Sequence, residues 1–148
     1  MQRDCCGDQC MTATPRSSAL AAYQTVATHG GVAAADAHGL ILMLLDGALS
    51  RIAQARGCAE RGRAAERVAH LNRTLGIIGE LRASLLSGSS PIADNLERLY
   101  EYMARQILQA HVDTRPELLD RVSALLQEIR SAWAAIPAEQ RARIQAAR

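Results

Sequence analysis

Leu118-Leu-Asp-Arg-Val-Ser-Ala-Leu-Leu-Gln-Glu-Ile-Arg-Ser-Ala-Trp-Ala-Ala-Ile136 carries the cleanest apolar repeat in the chain. Leu118, Val122, Leu125, Ile129, Ala132 and Ile136 recur at intervals of 4, 3, 4, 3 and 4. That alternation keeps one side of an α-helix apolar and predicts a helix lying along the seam of a bundle. Thr114 and Glu117 have the spacing of a capping box, with Pro116 in the first turn where proline is tolerated. Pro137 stops the helix, leaving 138–148 as a charged, Ala-rich tail.

Upstream, Ser90-Pro91 predicts the start of another helix, burying Ile92, Leu96, Leu99, Met103 and Ile107. Ser87-Gly-Ser-Ser90 is a loop. Before it, Val68, Leu71, Leu75, Ile78, Leu81 and Leu85 mark a helix over about 64–86. Asp36 is placed to cap a long helix running to Gly57 or Gly62. A short helix over 15–28 carries Leu20, Tyr23 and Val26 and is broken by His29-Gly-Gly31. The expectation is an all-α antiparallel four-helix bundle over 15–137 with a short additional N-terminal helix, a disordered extension at 1–14 and the tail.

Composition agrees. The chain has 148 residues, enough for one domain, and 49% are apolar. It lacks Phe and is rich in Ala, Leu, Arg, Glu and Gln, the better helix formers. All 17 basic residues are Arg, scattered among 15 acids, so no basic footprint points to nucleic acid. Cys5, Cys6, Cys10 and Cys58 lack the spacing of a metal site or a disulfide framework and read as reduced thiols. Met11 is a candidate start, because everything that resembles fold follows it. No signal peptide is visible, and Leu40–Leu45 is too short to span a bilayer, so a cytoplasmic protein without membrane insertion is expected. In that compartment the sequon Asn72-Arg-Thr74 has no consequence.

One segment is too hydrophobic for its place. On a helical wheel Leu40, Ile41, Leu42, Leu44, Leu45, Ala48, Leu49 and Ile52 fill an arc of roughly 200°, with Met43 beyond it. A bundle helix needs an apolar stripe only somewhat over about 100° wide. Each large side chain left in water forfeits about 1.5–3 kcal/mol of burial. Another part of the chain, a second copy or a partner must therefore cover the surplus, and a docked helix is one way to do it. Gly47, inside a strong helix, costs about 1 kcal/mol relative to Ala and suggests a close approach there. Asp46 beside it is a candidate orienting group.

Five strings, in order, resemble the flagellin-specific export chaperone family, FliS. They are Ala22-Tyr-Gln24, Leu40-Ile-Leu-Met-Leu-Leu-Asp-Gly-Ala-Leu49, Ile77-Ile-Gly-Glu-Leu81, Ile92-Ala-Asp-Asn-Leu-Glu-Arg-Leu-Tyr-Glu-Tyr-Met103 and Ile129-Arg-Ser-Ala-Trp133. The fourth is the most specific, and the resemblance covers about 19–137. It implies a bundle that binds the C-terminal segment of flagellin in hydrophobic grooves. The bundle would thereby prevent premature polymerisation in the cytoplasm and deliver flagellin to a component of the flagellar type III export gate. It also implies that Tyr23 covers part of the groove in the free protein. The chain departs from the family pattern in its long His29–His38 stretch, in Leu45 where Tyr is usual, in Arg73-Thr74 and in the loop Ser87–Pro91.

The expected partner-binding residues are Tyr23, Leu40, Ile41, Leu44, Leu45, Asp46, Gly47, Ile52, Asn95, Leu96, Tyr100 and Met103. Either Leu44→Glu or Leu45→Glu is expected to abolish binding while leaving helicity intact. No catalytic residues, metal or cofactor are expected. Glu66 and His70 share a helix face but supply only two ligands. Two alternatives remain: a histidine phosphotransfer bundle using His70, with Arg73 and Gly76 beside it, or a structural bundle whose surplus makes a homodimer.

Overall fold

The computed structural model describes residues 36–146 apart from Ser87. Tyr23, the helix expected over 15–28 and Cys5, Cys6 and Cys10 lie outside the described residues. Among those described, the chain forms five helices and no strands: α1 (Asp36–Glu60), α2 (Ala64–Ala83), α3 (Pro91–Val112), α4 (Pro116–Ala134) and α5 (Ala138–Ala146). The all-α bundle expected from the seam is the fold observed.

Side-chain contacts fix the directions of the long helices. Arg51 meets His70 and Cys58 meets Glu66, so α1 and α2 run antiparallel. Arg82 meets Glu97 at one end of α2 and Arg67 donates to the Ala110 carbonyl at the other, so α3 reverses again. Asp46 pairs with Arg130, and Arg56 with Asp120 at 2.6 Å, which sets α4 antiparallel to α1. The result is an up-down-up-down bundle with α4 returning beside α1.

Local chemistry places the ends. Gly62, at φ 67°, closes α1 in the left-handed conformation. The Gly62 amide donates to Ala59 O at 3.2 Å and the Arg63 amide to Cys58 O at 2.8 Å, the paired bonds of a Schellman stop. Gly62, not Gly57, therefore ends the helix. Gly62→Ala should cost about 1–2 kcal/mol, the penalty of placing a Cβ in that region. Urea unfolding followed by helicity reads the change; an unaltered midpoint would remove this role from Gly62.

Ser90 caps α3 by accepting from the Ala93 amide at 3.2 Å, with Pro91 following as expected. The capping box expected for α4 does not form: Arg115 holds the N-cap position and makes no side-chain cap. Pro116 at N1 removes one of the orphan donors that such a cap would serve. Beyond Pro137 the tail is helical over Ala138–Ala146.

The core is one cluster built from all four long helices. Leu45, Ala48 and Ile52 enter from α1, Leu71, Ile78 and Leu81 from α2, Met103 and Ile107 from α3, and Leu119, Val122 and Leu126 from α4. Several expected faces are rotated by about one residue. In α3 Ala93 is buried while Ile92 is 72% exposed. In α4 Leu119 and Leu126 are buried, Leu125 and Ile129 are at the rim, and Ala132 is exposed. In α2 the polar residues Arg67 and Thr74 occupy buried positions, and Val68 is exposed. Thr74 can be buried because its hydroxyl donates to His70 O at 3.0 Å, one turn back.

Candidate partner-binding face

The end of the bundle where α1 begins is held by a ring pair. The His38 and Trp133 rings stack with centroids 5.4 Å apart and planes 12° off parallel. Trp133 Nε1 donates to His38 O at 3.1 Å, and His38 Nε2 lies 2.7 Å from Trp133 O. With Nε2 donating to that carbonyl, Nδ1 is left to accept from Arg141 of α5 at 3.4 Å. Three helices are thereby tied at the start of the over-hydrophobic segment.

From there the α1 side chains divide by depth. Leu45, Ala48 and Ile52 are wholly buried. Ile41, Leu44 and Leu49 are partly buried and pack against the core from its rim. Leu40 is half-buried, and Met43 is 56% exposed. The apolar arc thus divides around the helix, with Leu45, Ala48 and Ile52 in the core and Ile41, Leu44 and Leu49 at its rim, while Met43, beyond the arc, faces outward. On α3, Leu96, Leu99 and Tyr102 form a comparable rim, with Asn95 exposed beside them.

The expected site residues therefore fall into two groups. Ile41, Leu44 and Leu96 stand at the rim, and Leu40 and Asn95 retain exposed surface. Leu45, Ile52 and Met103 are fully buried, and Tyr100 is 4% exposed, its phenol pushed above the ordinary tyrosine range by burial. In this packing these four support the rim from beneath and present almost no surface to a docked segment, although the sequence places them with the partner-binding residues. Apolarity alone did not separate core from rim; the rotation of each helix against its neighbours did.

Asp46 and Gly47 also differ from expectation. Both Asp46 carboxylate oxygens are engaged by Arg130, one by Nε and the other by Nη2 at 3.3 Å. The carboxylate holds the Arg130 guanidinium protonated, raising its pKa through the hydrogen bond and then the charge. Asp46 thus acts within the bundle, bracing α1 against α4. Gly47 is not required by packing, since a Cβ there would meet Ile77 Cδ1 at 3.6 Å, an ordinary contact. Gly47→Ala should therefore stabilise the bundle by about 0.5–1 kcal/mol through helix propensity. Thermal unfolding reads the gain, and a lowered midpoint would restore the close-approach reading.

Arg130, His38 and Arg67 escaped the sequence reading. Their partners lie 84, 95 and 43 residues away, a separation no local pattern reveals. His70 is half-buried with Nδ1 3.4 Å from Arg51 Nη1, while Arg73 is exposed. Among the described residues no group of three or more His, Cys, Asp or Glu side chains is arranged to hold a metal, and Glu66 lies 3.5 Å from Arg63. No described helix is long and apolar enough to cross a membrane.

A filled core shared by four long helices, partly buried apolar side chains at its rim and polar braces outside it define an antiparallel helical bundle. A family model for the flagellar protein FliS matches residues 19–140. The chain is 43% identical over 116 residues to the flagellar secretion chaperone FliSB of Pseudomonas aeruginosa, covering 78% of this chain and 92% of that one. It is 36% identical over 121 residues to the flagellar secretion chaperone FliS of Vibrio cholerae, covering 81% and 89%. The Salmonella typhimurium flagellar secretion chaperone FliS is 36% identical over 119 residues, with 79% and 88% covered. The chain belongs to the FliS family.

Proposed function

We propose that this protein is a non-enzymatic flagellar secretion chaperone that binds the C-terminal segment of flagellin along the apolar rim of the bundle. Binding keeps the segment from polymerising in the cytoplasm and carries it to the flagellar type III export gate. The observation that supports this most is the rim itself: Ile41, Leu44, Leu96 and Leu99 surround a core that is already filled. Side chains in that position can gain burial from an added helix without unpacking the fold. Leu40 on α1 and Asn95 on α3 keep exposed surface next to these side chains.

The test is titration of the purified chain with a peptide of the last stretch of flagellin, followed by helicity and size-exclusion chromatography. A 1:1 complex with helicity above the sum of the parts is the expected result, since the partner orders as it binds. A chain that elutes as a dimer and ignores the peptide would replace this reading with the structural homodimer. Phosphoryl transfer onto His70, lost in His70→Gln, would replace it with the phosphotransfer reading.

A further inference from the structure

At the far end of the bundle from the His38–Trp133 pair, the last turn of α1, the first turn of α2 and the start of α4 enclose a cleft of about 360 Å³. Three arginines line it, Arg56, Arg67 and Arg115, against one carboxylate, Glu60. Two of the three are matched elsewhere. Arg56 pairs with Asp120 at 2.6 Å and Arg115 with Asp113 at 3.0 Å, and neither aspartate lines the cleft. Asp113 is held below the usual carboxylate range by its bonds from Gln109 and Arg115. Both pairs are well exposed, so they reorganise readily.

Arg67 differs. It is 9% exposed, and its guanidinium donates to the Ala110 carbonyl. None of the ion pairs among the described residues includes it. A guanidinium carries five N–H donors and a full charge. The Ala110 carbonyl engages one of those donors, and the end of α3 offers only the fractional negative charge of a helix C-terminus. A cation buried without a counter-ion is costly, and an anion in the cleft would supply what the fold withholds. The first turn of α4 opens beside it without a side-chain cap, adding partial positive charge.

The lining also selects the anion. Glu60 opposes a second negative charge, which favours a monoanion over phosphate. Ala59, Pro116 and Leu119 supply an apolar wall that phosphate cannot use. Arginine forks suit a planar carboxylate. We propose that the cleft binds a carboxylate carried on a short aliphatic group, the chemistry of the free C-terminal end of an apolar peptide, with Arg67 and Arg115 as its donors. The site is separate from the apolar rim and does not depend on what occupies that rim.

The test is NMR titration of the full chain, at constant ionic strength, with N-acetyl-Ala-Ala-Leu bearing a free carboxylate. The same peptide amidated, isovalerate and inorganic phosphate are the comparison ligands. Saturable shifts at the amides of Thr114, Arg115 and Leu119 with the free peptide, and none with the amidated one, are expected. Arg115→Gln should weaken that binding at least tenfold, as should Arg67→Gln. Arg115 is exposed, so its variant carries the test even if Arg67→Gln unfolds the chain. Isovalerate binding as tightly as the peptide would assign the site to small free acids instead of chain ends. Equal response to acid and amide, tighter binding of phosphate or an unaffected Arg115→Gln would overturn the proposal.

Discussion

Leu45→Glu should abolish the folded bundle, with loss of most helicity at room temperature. Leu45 is wholly buried in the shared core between α1 and its neighbours. Deleting a buried Leu side chain to Ala costs about 2–5 kcal/mol from lost transfer energy and the cavity left behind. Glu adds an ionisable group with no partner in an apolar surround, which either stays charged at high cost or must take up a proton. A domain of this size is stable by about 5–15 kcal/mol, so the two effects together consume most of that margin. The graded control is Leu45→Ala, expected to lower the unfolding free energy by about 2–5 kcal/mol. Urea unfolding followed by circular dichroism reads both. A loss below about 1 kcal/mol for Leu45→Ala would show that the site is not the close-packed interior seen here.

That result bears on what the sequence could disclose. Apolar periodicity identified the four long helices, and Gly, Pro and Ser marked most of their ends, because each of those signals rests on local chemistry; the Thr114–Glu117 capping box is the exception. Ser90 capping α3 and a glycine closing α1 are read from a few adjacent residues. The depth of a given side chain is not local. Leu44 and Leu45 are adjacent, equally apolar leucines, yet one is rim and the other core. Their difference is the angle at which α1 is rotated against α2 and α4, set by long-range contacts such as Asp46 with Arg130 and His38 with Trp133. The same cause misplaced Ile92 and Leu125, each one residue from the position that is buried. Arg67 was invisible for a further reason: an Arg at a helix end is ordinarily exposed, and only its acceptor 43 residues away makes it an interior residue.

Leu44→Glu provides the functional counterpart, and here the bundle should remain folded while the proposed flagellin binding is lost. Leu44 packs against the core from the rim and keeps part of its surface outside, so a carboxylate there can turn to water. In the complex that escape would be closed. Removing the leucine forfeits about 1.5–3 kcal/mol of apolar burial, and a carboxylate facing a docked apolar helix adds a desolvation cost. Each 1.4 kcal/mol is about tenfold in affinity, so weakening of at least about tenfold, and up to complete loss, is expected. In the proposed complex the flagellin segment also orders itself, so only a surplus of the gross contact energy appears as affinity, which leaves little reserve. Met43→Glu is the matched control: it lies one residue away, about 100° round the helix, and is already 56% exposed. It should leave both binding and thermal midpoint essentially unchanged. Titration of the two variants and the parent with the same flagellin peptide separates the outcomes. If Leu44→Glu binds like the parent while folded, the rim of α1 is not the docking face, and the half-buried Leu96 and Leu99 of α3 become the surface to substitute next.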